Sequence, residues 1–346
     1  MFALLELKIN NDIIDLSQDV ITFIYEEVIM GSSSFLIEGR VNEDYWHLLD
    51  EFVSNPDVDA KIRWGYQDDA DYLSEWHSVV ADRPRYGYEG TLLSFIIEGH
   101  DLGIKLLETK TGGMYKDKRV SEIVGKIAAT AGMDSTVKQT SDKYHLFQDS
   151  NDGRFMMEEL LPRAYSGNYN CYVVYFKNGN RLTFEPLETS QTYTDFKDTS
   201  FGIYRGNQVG HAADLFVKYR SFDPYKRKVL EKEVNDYTAG YRQLSGSKVD
   251  PPEKPNKTEL VDEVEKEKFE RQAKVRWHKN YVMMHDFVVF CKDPSMPVNK
   301  LIDLSVVDPD RKRVKVSGKY VITRNRVEIK GRHYINKVFI SRRGEM

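Results

Sequence analysis

Near the C-terminus the chain reads Tyr320-Val321-Ile322-Thr323-Arg324-Asn325-Arg326-Val327-Glu328-Ile329-Lys330-Gly331. Much earlier it reads Val79-Val80-Ala81-Asp82-Arg83-Pro84-Arg85-Tyr86-Gly87-Tyr88-Glu89-Gly90. Both stretches share Arg-x-Arg, apolar-x-apolar, a charged residue and Gly. Each leads into a second apolar run, Leu93 to Ile97 and Ile335 to Ile340. A hairpin with one apolar face produces this alternation, because successive strand side chains point to opposite faces. A match this short also arises by chance. Read as real, it implies two copies of one β-barrel-like domain in a single chain. Three such chains in a ring would present six similar barrels.

Outward from these hairpins, strand signals dominate both ends of the chain. Phe2 to Ile9 alternates before the turn Asn10-Asn11-Asp12, and Ser34 to Val41, Asp59 to Tyr66, Trp76 to Asp82 and Leu92 to Gly99 follow. Glu43 to Val53 has helical spacing, stopped by Pro56. Toward the C-terminus, Ala212 to Ser221, Trp277 to Cys291, Asn299 to Val307 and Lys312 to Arg343 read as strands.

The middle has a different character. Arg119 to Gly132 places Val120, Ile123, Val124, Ile127, Ala128 and Ala131 on one helical face, with Gly132 as C-cap. A second helix is expected from Asp152, which would cap it, and Pro162 should end or kink it. Asn170 to Phe176, Asn178-Gly179 and Leu182 to Phe184 predict a hairpin with a type I′ turn. Gly240 to Asn256 reads as a linker. Thr258 to Ala273 predicts a charged helix with only Leu260, Val261, Val264 and Phe269 to bury, exposed or docked on a partner.

Composition narrows the function classes. The 346 residues carry 50 Lys and Arg against 54 Asp and Glu, a net charge of -4. A free nucleic-acid binder is more often basic, whereas a mildly acidic wall lets DNA slide past without sticking. The 21 Tyr and 17 Phe favour strands and interfaces. Cys171 and Cys291 stand far apart and read as buried thiols. Neither a signal peptide nor an apolar run of about 18 residues is present. The expected class is a protein folded in the host cytoplasm with no membrane insertion.

Together these features resemble the baseplate hub family of contractile tails, which includes the phage late control protein D group and the N-terminal hub-like part of type VI secretion spike proteins. Ala128 to Gly132 is similar to that family's Ala-x-x-Ala-Gly helix end. Asp152 to Leu161, Cys171 to Phe176 and Leu182-Thr183-Phe184-Glu185-Pro186 are similar to the helix and two strands that follow it. Ser317 to Ile322 through Phe339 to Arg343 resembles the last barrel hairpin, and Phe216 to Pro224 the opening of the second barrel. Pro162 and the charged insert from Glu231 to Lys274 depart from the pattern.

The resemblance implies an α+β, β-rich fold: two related tube-like β-barrel domains, a small α/β insert domain and a charged linker-helix segment. The boundaries expected are 1–112 for the first barrel and 113–195 for the α/β domain. The second barrel takes 196–235 and 275–346, with linker and helix at 236–274. It implies a homotrimer around a lumen that passes the genome, a tail tube protein above, and a spike below. Baseplate wedge and tape-measure proteins are further candidate partners. With the chain ending on the last hairpin, the spike is expected as a separate protein. The implied function is a structural hub in the virion tail baseplate of a phage or tailocin, adapting a six-fold tube to a three-fold spike. The alternatives are a tail adaptor or distal tail protein of another particle, and a tail-tip peptidoglycan hydrolase.

Signals for chemistry are weak. Gly112-Gly113 lacks the Lys-Ser or Lys-Thr of a phosphate loop. His278 and His285 lie at the wrong spacing for a zinc pair. There is no Gly-x-Ser-x-Gly elbow. No catalytic, metal or cofactor site is assigned and no enzyme activity is expected. Arg83, Arg85, Arg324 and Arg326 are the candidate inter-barrel contacts, facing a carboxylate across a seam or standing as solvated strand charges.

Overall fold

The computed structural model describes residues 2–55, 58–67, 69–82, 85–89, 92–167, 171–187, 194–196, 203–204, 216–234, 255, 257–282, 287–291, 293–294, 296–304 and 318–342. The N-terminal half holds β1 (Ala3–Ile9), β2 (Asp12–Asp15), β3 (Val20–Val28), β4 (Ser34–Arg40), helix α1 (Trp46–Ser54), β5 (Ala60–Tyr66), β6 (Asp69–Leu73), β7 (His77–Ala81), β8 (Arg85–Glu89) and β9 (Leu92–His100). On β1 the alternation places Ala3, Leu5, Leu7 and Ile9 in the core. Leu49 and Phe52 of α1 are buried in the same core.

The small central unit follows: α2 (Lys105–Glu108), β10 (Gly113–Arg119), α3 (Val120–Thr130), β11 (Asp134–Val137), β12 (Lys143–Gln148), α4 (Asp152–Phe155), β13 (Tyr172–Lys177) and β14 (Arg181–Pro186). Helix α3 buries Val120, Ile123, Val124, Ile127 and Ala128, and Gly132 takes φ of +67° just past its end. The cap of α4 is Asn151, which accepts from the Arg154 N–H at 2.8 Å, rather than Asp152. Asp152 is buried and instead accepts from the Thr111 N–H and hydroxyl and the Gln148 amide, fixing the preceding loop. Beyond α4 the helix continues as a π turn over Met156–Leu160 and a 3-10 turn over Leu161–Arg163. Pro162 has no N–H to return to the preceding turn, so the hydrogen-bond pattern changes there.

The C-terminal half holds β15 (Thr194–Phe196), β16 (Ile203–Tyr204), β17 (Val217–Asp223), β18 (Lys228–Val234), β19 (Lys257–Leu260), α5 (Lys266–Val282), β20 (Phe287–Cys291), β21 (Leu301–Leu304), β22 (Gly318–Lys330) and β23 (His333–Arg342). The charged helix thus runs over 266–282, later than the expected 258–273, and Trp277 belongs to it rather than to a strand. Nor is it without a core. Phe269, Ala273 and Trp277 are buried against Val217, Tyr219 and Val234 of this same chain. Short polar runs hid the apolar residues, because Ala273 is the last residue of the expected helix and Trp277 lies beyond its end.

Among the described residues fifteen strands form one sheet, in the path β16-β20-β23-β22-β3-β4-β9-β7-β5-β1-β2, with β6, β8, β15 and β21 branching from it. That path is open at both ends and closes no barrel. The architecture is β-rich α+β, and the described residues form three hydrophobic cores. Hairpin β22–β23 belongs to two of them. Tyr320, Ile322, Val338 and Ile340 lie in the C-terminal core, while Val327 and Ile329 lie in the N-terminal one. The central unit docks through its own hairpin. Asn178 and Gly179 both take positive φ, as their type I′ pattern predicts. Their carbonyls accept from the Ser78 and Leu102 N–H groups at 2.9 Å.

Candidate functional site

The continuity of the sheet rests on one pairing. Strand β3 runs antiparallel to β22, with Glu26 opposite Arg326, Glu27 opposite Asn325 and Tyr25 opposite Val327. Cross-strand partners share a face, so the two sides of this seam differ. One side carries Tyr25 with Val327 and Phe23 with Ile329, all buried, and ends in the polar pair Glu27 and Asn325. The other carries charge.

On the charged side Glu26 accepts from the Arg324 guanidinium and, at 3.4 Å, from Arg326. Arg324 also lies 4.7 Å over the Phe339 ring. Arg326 donates to Glu328 at 2.8 Å, and Lys337 donates to it at 2.7 Å. Burial raises the cost of ionising Glu328, but Lys337 and Arg326 outweigh it and hold its carboxyl below the usual range. A ladder of alternating charge therefore runs along the seam.

The structure brings two of the four arginines read from the sequence together, at Glu26. Arg85 pairs instead with Glu98 across β8 and β9, on the exposed surface of the N-terminal half. Arg83 lies outside the described residues, as does His285; His278 falls on α5 with its side chain outside the description. Glu26 and Glu27 were missed in the sequence, although Val20-Ile21-Thr22-Phe23-Ile24-Tyr25 is a run of strand formers that marks β3.

Behind the seam the N-terminal and C-terminal cores meet the central hairpin at a cleft of about 360 Å³. Glu27 and Asn325 line it from the seam, Trp64 and His77 from the N-terminal half, Tyr175 and Glu185 from the central unit. His77 stacks on Trp64 at 4.6 Å and shares a 3.2 Å hydrogen bond with the Tyr25 hydroxyl. Burial pushes its imidazole down to about 3, so it stays neutral. Glu185 accepts from the Tyr175 hydroxyl and the Asn299 amide, both at 2.9 Å. His77, Tyr175 and Glu185 are spent on protein partners, and the arrangement works as a joint between the N-terminal core, the C-terminal core and the central hairpin. Cys171 and Cys291 are buried thiols, and burial lifts Cys291 to about 12. Among the described residues no cluster of three or more His, Cys, Asp and Glu could hold a metal ion. No helix among them is long and apolar enough to cross a membrane.

No protein-family model and no curated protein matches the sequence. Solved structures do. The 43 kDa tail protein of prophage MuSo2 from Shewanella oneidensis is 10% identical with a TM-score of 0.62, over 98% of each chain. A tail protein from Neisseria meningitidis MC58 is 10% identical with a TM-score of 0.63, over 99% of this chain and 98% of the other. The E. coli c3393 protein, a type VI secretion component with structural similarity to the T4 bacteriophage tail proteins gp27 and gp5, is 10% identical. Its TM-score is 0.54, over 98% of this chain and 77% of its own. The likeness spans both halves, the central unit and the seam that joins them, and the chain has the fold of phage tail and type VI secretion baseplate-like proteins.

Proposed function

We propose that this chain is a structural subunit of a phage-type contractile tail or tailocin: the baseplate hub that adapts a six-fold tail tube to a three-fold spike. The observation that carries the reading is the end-to-end likeness to tail proteins, 98% of each chain for the Shewanella prophage protein. The seam supports it further. Pairing of β3 with β22 makes one sheet of two strand-rich halves, each of which we read as a tube-like domain facing a common lumen. Three copies would then place six such domains beneath the tube, letting a three-fold ring imitate a six-fold one. The partners are a tube protein above and a spike below, and the site of action is the virion tail. The work is adhesive, done by buried surface rather than by bond chemistry.

The mass of the purified chain in solution, and its copy number per ring in the particle, test this. Three copies are expected. A stable monomer that joins neither tube nor spike would sink the reading, and six copies per ring would favour a tail adaptor.

A further inference from the structure

Glu27 and Asn325 are direct cross-strand partners on β3 and β22, and both side chains are buried, at 6% and 4% exposure. Asn325 donates its amide N–H to the Met296 carbonyl at 2.8 Å. That leaves its Oδ1 buried with no donor. The Val298 backbone favours the charged form of Glu27 without outweighing its burial, so the same loop, 296–299, bears on both residues. A carboxylate can only accept, whereas a carboxylic acid has one O–H to give. Of its two forms, only the neutral acid has a proton to offer Asn325 Oδ1.

We propose that Glu27 is held as a neutral acid donating to Asn325 Oδ1, and that this proton latches the 296–299 loop onto the seam, so that its release loosens the joint between the two halves and the central hairpin. The loop is placed to transmit such a change. Its far end is tied to β22 by the Asn299 N–H to the Ile322 carbonyl at 2.8 Å, and by the Ile322 N–H to the Lys300 carbonyl at 2.9 Å. The Asn299 side chain reaches Glu185 in the central unit.

The charges around Glu27 agree with this assignment. Burial raises its carboxyl most, and Asp101 beyond β9 adds to that, bringing it to about 8. Asp101 accepts from Ser32, Ser33 and Gly103, so it is the acid better able to stay ionised. Lys177 at the end of β13 acts in the opposite sense but more weakly. On the remaining sides Tyr25 and His77 are neutral, Glu185 is bonded to Tyr175 and Asn299, and Lys300 stands at the loop's exit. A carboxyl raised in the fold stabilises it below its ordinary value near 4.5, and that stability is lost as pH rises through about 8.

Hydrogen exchange of the 296–300 and 320–323 backbone, in the full chain and in Glu27→Gln, tests the latch. Glutamine keeps a donor for Asn325 and cannot ionise. Equal protection is expected at about pH 6, and about tenfold or greater loss in the native chain relative to E27Q at about pH 9.5. Equal exchange at the higher pH would overturn the proposal. Infrared spectra of the native chain test it without a variant. A protonated-carboxyl band that titrates away near pH 8 is expected, and its absence at about pH 6.5 would overturn the assignment.

Discussion

Ile322 and Val327 stand five positions apart on β22, and each is fully buried in a different hydrophobic core. One strand therefore serves both halves of the molecule, and damage to either core is felt by the other. Ile322→Ala removes packing from the C-terminal core at a cost of about 2–5 kcal/mol. The expected outcome is a single shifted unfolding transition. Fluorescence of Trp277 in the C-terminal core and of Trp64 in the N-terminal one, each read in a variant lacking the other tryptophans, should give the same midpoint. Separate midpoints would show that the hairpin does not couple the cores.

Gly179 and Gly331 both adopt positive φ, +72° and +56°, but only one is crowded. A Cβ at Gly179 would lie 2.1 Å from the Ser78 carbonyl oxygen, whereas nothing lies within 4 Å of one at Gly331. Gly331→Ala should cost about 1–2 kcal/mol, the ordinary left-handed penalty. Gly179→Ala should cost more, because backbone cannot swing aside and the central hairpin must undock. Urea unfolding of the two variants side by side decides it; equal losses would mean that the hairpin tip is not a structural contact.

His77 is buried and neutral. Its imidazole titrates at about 3 in the fold against 6.5 in the open chain. The unfolded state therefore binds the extra proton first, and the stability contributed by neutral His77 is lost as pH falls from about 6.5 toward about 3. His77→Gln should flatten that part of the stability profile. An NMR titration showing the His77 ring protonating near its ordinary value would contradict the burial argument.

Glu26 joins Arg324 and Arg326, yet all three side chains keep 21–31% of their exposure. Solvent screens such pairs, so Glu26→Gln should cost no more than about 1 kcal/mol. A double-mutant cycle with Arg326→Gln should give a coupling of similar or smaller size. A much larger coupling would make the charge ladder, rather than the buried face beneath it, the main adhesive of the seam.

The local elements were legible in the sequence because their causes are local. The alternation of Ala3 to Ile9 marks β1, the apolar spacing of Val120 to Ala128 marks α3, and Asn178-Gly179 marks the turn that only positive φ permits. Arg85 falls on the first strand of hairpin β8–β9, and Arg324 and Arg326 on the first strand of hairpin β22–β23. The resemblance to tail proteins was legible too, and the fold shares it. What the tertiary structure alone decided is which strands meet. Nothing in Val20 to Val28 names Gly318 to Lys330 as its neighbour, since backbone hydrogen bonds are the same for every partner and specificity comes from the faces buried once the chain has closed. The burial of Glu27 beside Asn325, the seating of Trp277 in a core, and the meeting of Arg324 and Arg326 at Glu26 all follow from that closure.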